Sequence, residues 1–284
     1  MGRIVYVNGQ YVSEDDAKIS VFDRGFLFAD GVYEVSAVIG GKLCDNDAHL
    51  KRLARSLSEM KLTAPVPLEE IPVIQRKLIA DNGVEEGGVY LQISRGAADR
   101  DFNFPPEQKP SLVMFTQAKS IVETPKALSG ISVVSQPDIR WARRDIKTVQ
   151  LLAQSMAKEA ARAAGADDAW MVEDGFVTEG SSNNAFIITA DGTVVTRQLG
   201  TDILHGITRR VVLEIAAEEG LTIEERRFTV EEAQAAAEAF STSASTFVMP
   251  VVTIDGKTIS QGVPGPVTQK LRARYIKLAT ETAV

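Results

Sequence analysis

One cysteine, Cys44, and two histidines, His49 and His205, are all that 284 residues hold of these types. A lone thiol closes no internal disulfide, and neither residue type has the paired spacing of a structural zinc site, so no metal centre is expected. No apolar run approaches the ~18 residues of a membrane span, and the chain opens on strand-like alternation rather than a basic-then-apolar leader. Basic residues are in deficit, 31 against 38 acidic, for a net charge of −7. The chain therefore lacks the basic footprint of a nucleic-acid binder. Neither nucleic acid nor a membrane is expected as a partner, and the cytoplasm is the expected location. Internal repeats and low-complexity tracts are missing too; the alanine-rich stretch 231–239 is ordinary helix-forming composition.

Forty-four per cent of the residues are hydrophobic, enough for two modest domains or one large one. Asn8-Gly9 between short β-rich runs predicts a hairpin over 4–12, with strands at 20–22 and 31–39. From Asp47 the period changes. Ala48, Leu50, Leu53, Leu57 and Met60 recur at three- and four-residue steps, an amphipathic helix. A second helix is expected at 68–81, closed by Asn82-Gly83, then strands at 89–94 and 112–116. This is a smaller α+β domain, residues 1–120. A linker at 121–129 carries Pro125. The larger domain, 130–284, is predicted to hold strands at 131–135, 169–172, 184–189, 193–196, 222–227 and 248–254. Its helices are expected at 148–164, 207–219, 230–237 and 266–279.

Two motifs carry chemistry. Lys147 stands in Arg143-Arg144-Asp145-Ile146-Lys147-Thr148, and Glu179 opens Glu179-Gly180-Ser181-Ser182-Asn183. A lysine amine condenses with an aldehyde only near its neutral form, and a buried carboxylate is worth its desolvation only beside a cation. Pyridoxal phosphate uses both, a lysine for the Schiff base and an acidic side chain for the protonated ring nitrogen. Taken alone, the two residues read as a solvated surface lysine and a turn glutamate, the ordinary state of such residues.

Five strings decide between these readings: Asp23-Arg24-Gly25-Phe26-Leu27-Phe28-Ala29-Asp30-Gly31-Val32-Tyr33-Glu34, His49-Leu50-Lys51-Arg52-Leu53, Asp145-Ile146-Lys147, Glu179-Gly180-Ser181-Ser182-Asn183 and His205-Gly206-Ile207-Thr208-Arg209. In that order the chain resembles the fold type IV pyridoxal-phosphate transaminases, a family of D-amino-acid, branched-chain and (R)-amine transaminases and aminodeoxychorismate lyase. The resemblance implies a mixed α and β, two-domain enzyme. In it Lys147 forms the Schiff base and carries the proton between the substrate α-carbon and the cofactor's C4′, Glu179 pairs with the pyridine nitrogen, and Arg140 points at the phenolic oxygen. It places Ile207, Thr208, Ser243, Ala244 and Arg52 at the phosphate, with Ala244 reduced to a backbone N–H. Leu204 packs on the ring, and Ser181 and Ser182 line the site. Arg143 and Arg144 are expected to form a solvated cationic turn.

For the substrate, the resemblance points to Tyr33, Val35 and Tyr90 as pocket walls, with Ser245 nearby. D-amino-acid transaminases bind the substrate carboxylate through an Arg-x-His motif contributed by the neighbouring subunit. Here the run is Arg100-Asp101-Phe102, with Phe102 in the histidine's place. An arginine alone still clamps a carboxylate bidentately. The expected partners are therefore an amino donor, a 2-oxo acid acceptor and a second copy of the chain. An aromatic Phe102 also suits a hydrophobic amine, so an (R)-selective amine transaminase is the alternative reading. Aminodeoxychorismate lyase shares the lysine and glutamate, but Val35 offers no hydroxyl to assist elimination.

Overall fold

The computed structural model describes residues 2–284. The chain divides into two compact units, 1–120 with 146–150 and 279–284, and 121–145 with 151–278. Residues 146–150, Lys147 among them, thus count with the first unit rather than with the chain that surrounds them in sequence.

The first unit is built on a six-stranded antiparallel sheet. Strands β1 (Ile4–Val7) and β2 (Gln10–Ser13) form the expected hairpin, with Asn8 and Gly9 at the positive φ values a type I′ turn needs. The remaining elements are α1 (Arg24–Phe28), β3 (Gly31–Ile39), β4 (Lys42–Leu43), α2 (Asn46–Glu59), α3 (Ile71–Asn82), β5 (Glu86–Ser94) and β6 (Ser111–Ala118). The strand order is β2-β1-β6-β5-β3-β4. The expected apolar stripe of α2 is buried at Leu53 and Leu57, which join Ile74, Leu78, Leu91, Ile93 and Met114 in one core. Alternation along β3 sends Val32, Glu34 and Ser36 to the buried face and leaves Tyr33 and Val35 half-buried on the other.

Two expectations here are corrected. Residues 20–22 form no strand; they turn into α1, whose N-cap Asp23 accepts from the Gly25 N–H. Val21 and Phe22 are exposed and have no neighbouring strand to bury them. The helix expected from Thr148 begins only at Leu152. Residues 147–149 lie extended beside β3: Thr148 bridges Val32, the Lys147 carbonyl accepts from the Tyr33 N–H and the Val149 N–H donates to Gly31. With these groups satisfied by a strand, no helical turn forms around the lysine.

The second unit holds α4 (Pro125–Ser129), β7 (Ile131–Pro137), α5 (Leu152–Ala163), β8 (Asp168–Glu173), β9 (Phe176–Gly180), β10 (Asn184–Ile188), β11 (Val194–Thr196), α6 (Ile207–Glu218), β12 (Ile223–Glu225), α7 (Val230–Gln234), β13 (Glu238–Ser243), β14 (Phe247–Ile254), β15 (Lys257–Thr258) and most of α8 (Pro266–Thr282). Its sheet runs β12-β11-β10-β13-β14-β7-β8-β9, with β15 against β14. The core gathers Trp170, Val177, Ile187, Phe228 and Met249. The sequence reading carries a helix to residue 237 and omits β13. The helix stops at Gln234, and Ala239 and Phe240 enter the sheet between β10 and β14. A strand covered on both sides lacks the alternation that would announce it. Among the described residues no helix is long and apolar enough to cross a membrane.

Candidate active site

In the first unit, Lys147 is half-buried and its Nζ stands 4.2 Å from the centroid of the Tyr33 ring. Tyr33 stacks on Tyr90 at 5.6 Å, and Val35 lies opposite Tyr90 in the β3–β5 register. These side chains share one face with the lysine. The Tyr90 hydroxyl donates to Gln92 Oε1 at 2.7 Å, and burial, then the neighbouring Tyr33, push its pKa up.

The buried face of β3 carries a charge. Arg52 on α2 grips the Glu34 carboxylate with Nε and Nη2 at 2.8 and 2.7 Å, and His49 Nδ1 lies 2.7 Å from Oε2. Burial would raise the Glu34 carboxyl, but Arg52 and His49 overcome it and hold its pKa at about 2. Arg52 is therefore oriented by a buried carboxylate, not splayed on a helix surface. Arg100 is exposed, with its guanidinium 5.6 Å from the Phe28 ring and 5.7 Å from that of Phe102. Phe102 is itself 80% exposed.

In the second unit, Glu179, one residue before the end of β9, is a buried carboxylate with three donors. Asn184 Nδ2 donates to Oε2 at 2.8 Å, the Leu204 N–H at 3.1 Å, and Arg140 Nη1 meets Oε1 at 2.5 Å. Burial raises the Glu179 pKa, against the pull of Arg140 and the Leu204 N–H. The other end of Arg140 holds Asp138, with Nε and Nη2 at 2.9 and 2.7 Å. Asp138 also accepts from the Thr178 hydroxyl. Burial opposes its ionisation, yet Arg140, Thr178 and Arg144 bring its pKa below the ordinary range.

Arg144 corrects an expectation. Its side chain is 4% exposed, not solvated, and pairs with Glu173 at 2.7 Å and Asp138 at 3.4 Å. Its N–H bonds the Thr201 carbonyl, which ties residues 140–144 to the loop that presents Leu204. Arg143 is partly exposed and pairs with Asp145.

The serines after Glu179 differ from each other. Ser181 is buried and donates to Asp168 Oδ1 at 2.5 Å, a carboxylate that also takes Asn183 Nδ2, whereas Ser182 is exposed. Helix α6 begins at Ile207 and Thr208 with Gly206 as an N-cap that supplies no side-chain acceptor. Its first N–H groups have no intrahelical partner. A Cβ at Gly206 would fall 2.0 Å from Asn184 Oδ1, so glycine is required where α6 meets the residue that holds Glu179. At the end of β13, Ser243 Oγ reaches into the following loop, to Thr246 Oγ1 at 2.7 Å and Ser245 Oγ at 3.3 Å. Ala244 is half-buried, and Thr242 Oγ1 is buried without a hydrogen-bond partner.

Asn184 and Asp138 escape the sequence reading, which passes over both. The signals were present: Asn184 extends the polar run that Glu179 opens, and Asp138 sits two residues before Arg140.

The first unit thus holds a lysine beside aromatic walls, and the second a buried, cation-held glutamate and an uncapped helix end. The chain belongs to the class IV amino-transferase family, whose pattern it matches over residues 31–254. It is an aminotransferase, and pyridoxal phosphate is the cofactor of the class. Over 275 residues it is 40% identical to the D-alanine aminotransferase of Staphylococcus epidermidis, covering 96% of each chain. In three dimensions it is similar to the branched-chain amino acid aminotransferase of Escherichia coli, with a TM-score of 0.90 at 21% identity over 98% of this chain and 95% of that one. The branched-chain aminotransferase of the thermophilic archaeon Thermoproteus uzoniensis, solved with norvaline, gives a TM-score of 0.88 at 27% identity, covering 99% and 96%.

Proposed function

We propose that this aminotransferase moves the amino group of a D-amino acid, such as D-alanine or D-glutamate, to a 2-oxo acid such as 2-oxoglutarate or pyruvate by a ping-pong cycle. The observation that carries the substrate side is the similarity to a D-alanine aminotransferase along 96% of both chains. Pyridoxal phosphate, when bound, supplies the electron sink that makes the substrate α-carbon acidic.

The residues present fit that group. Glu179 is buried and fixed by three donors, as a carboxylate serving a ring nitrogen must be. The uncapped start of α6 at Ile207 and Thr208 suits a phosphate, and the partnerless buried hydroxyl of Thr242 next to Ser243 calls for an acceptor. In this reading Lys147 holds the cofactor covalently and then carries the proton at the substrate α-carbon. Glu179 would hold the proton on the ring nitrogen of the bound cofactor, with Arg140 opposing the rise that burial gives its pKa and holding it in place. Arg52, Ser243 and the Ala244 N–H add charge and donors at the phosphate. Leu204 would pack on the ring, and Ser181 and Ser182 would line the site near the cofactor and the substrate.

Tyr33, Val35 and Tyr90 wall the substrate side, with Ser245 nearby, and Arg100 clamps the carboxylate, its loop reaching the active site of a second copy of the chain. Exposure of Phe26 at 76% and of Phe102 at 80% supports such a partner. The aromatic Phe102 gives the alternative reading, transfer from a hydrophobic (R)-amine, its own observation.

Incubation of the loaded enzyme with D-alanine and 2-oxoglutarate, with pyruvate read by a coupled dehydrogenase, tests the proposal. Pyruvate should form from D-alanine and not from L-alanine. Turnover of L-leucine or (R)-1-phenylethylamine with none of D-alanine would replace it.

A further inference from the structure

Arg24 touches neither Lys147 nor Glu179, yet it is 3% exposed and spends its guanidinium on the loop that carries Arg100. Its Nε meets Asp30 Oδ2 at 2.8 Å. Its Nη1 donates to the backbone carbonyl of Asp101 at 2.6 Å and to that of Asn103 at 3.3 Å. Two carbonyls on the C-terminal side of Arg100, the nearer in the adjoining residue, are thus held by one planar cation. The Arg24 guanidinium also lies 4.5 Å from the centroid of Phe28, the ring that Arg100 approaches at 5.6 Å. Arg95 completes the anchor. It takes Asp30 bidentately, Nε to Oδ2 at 2.8 Å and Nη2 to Oδ1 at 3.0 Å.

We infer that Arg24 is a positioning residue for substrate recognition: through Asp101 and Asn103 it fixes the backbone from which Arg100 reaches the substrate carboxylate. This rests on the carboxylate role proposed for Arg100. The physical case lies in what each partner loses when Arg24 goes. Asp30 keeps the bidentate Arg95 pair, so no buried carboxylate is stranded. The carbonyls of Asp101 and Asn103 lose a fixed cationic donor, and the loop regains the freedom that the fork removes. A bidentate clamp tolerates little displacement; a shift of about 1 Å costs up to about 100-fold in a well-oriented site. Substrate binding is then the quantity that moves.

A double-mutant cycle on the loaded enzyme tests this, with kcat and KM for D-alanine measured for R24M, R24K, R100A and R24M/R100A. Thermal melts and cofactor absorbance verify that each variant is folded and loaded. R100A should lower kcat/KM by roughly 30- to 1000-fold. R24M should lower it by about 10-fold or more, mainly through KM. The double variant should lose no more than R100A alone, within about twofold, because Arg24 acts only through Arg100. R24K, which keeps the charge without the fork, should fall between wild type and R24M. Trypsin, which cleaves after arginine, should cut at Arg100 faster in R24M. Additive losses in the double variant, or a loss confined to kcat, overturn the inference. So does an unchanged R24M beside an impaired R100A, which leaves the carboxylate role of Arg100 standing. An unimpaired R100A removes that role and the inference with it.

Discussion

Arg140 joins Glu179 through a 2.5 Å contact from Nη1 to Oε1 while its remaining edge binds Asp138. One guanidinium therefore serves two buried carboxylates, and Asn184 and the Leu204 N–H hold the far oxygen of Glu179. A carboxylate fixed from several sides cannot turn away from a cation placed before it, and reorganisation costs little when charge develops there. Glu179→Gln keeps the shape and removes the charge. It should retain cofactor and slow a single turnover of D-alanine by about 100-fold or more. Unchanged single-turnover kinetics in that variant would take Glu179 out of the mechanism.

Asp138→Asn strips the shared partner from Arg140 and Arg144, which keep Glu179 and Glu173. Both arginines remain buried, so the loss should approach the lower end of about 3 to 5 kcal/mol for a broken buried pair. Denaturant unfolding of the cofactor-free chain measures it. A change below about 0.5 kcal/mol would mean that Asp138 is not the anchor described.

Gly206→Ala puts a Cβ 2.0 Å from Asn184 Oδ1 and 3.1 Å from Arg209 Cβ. The backbone at this position has φ −63, so the glycine is needed for space and not for conformation. Overpacking should cost about 1 to 3 kcal/mol and displace the amide that holds Glu179. Cofactor dissociation followed by absorbance should be faster, and a normal rate would show that Asn184 is free to move.

Glu34 sets a pH dependence. Its pKa of about 2 lies below that of an unfolded glutamate, so its stabilisation is complete above about pH 4.5 and is lost as pH falls through 2. A shift of that size corresponds to roughly 3 kcal/mol. The stability gap between wild type and Glu34→Gln should close between about pH 5 and pH 2. A gap constant over that range would locate the charge balance of Arg52 elsewhere.

How much of this could be read from the chain depends on the range of the interaction. The α2 stripe, the Asn8-Gly9 hairpin and the turn at Asn82-Gly83 are written in neighbouring residues, and the structure keeps them. The Lys147 and Glu179 motifs were legible as strings. Pairing between distant segments was not. Residues 147–149 leave the helix because β3, far away in sequence, offers them hydrogen bonds. The alanine-rich stretch yields to β13 because Phe240 stacks on Phe186 at 4.6 Å in the sheet. Arg144 looked solvated because its nearer partner, Glu173, lies 29 residues along the chain on β8. Asn184 continues the polar run that Glu179 opens, but only the fold turns its amide onto that carboxylate.

Reductive trapping tests most directly whether Lys147 carries the cofactor. Borohydride treatment of the loaded enzyme, digestion and mass mapping should place the pyridoxyl mass on the peptide containing Lys147, with none on Lys147→Ala. A label on any other lysine, or undiminished labelling of the variant, would contradict the account.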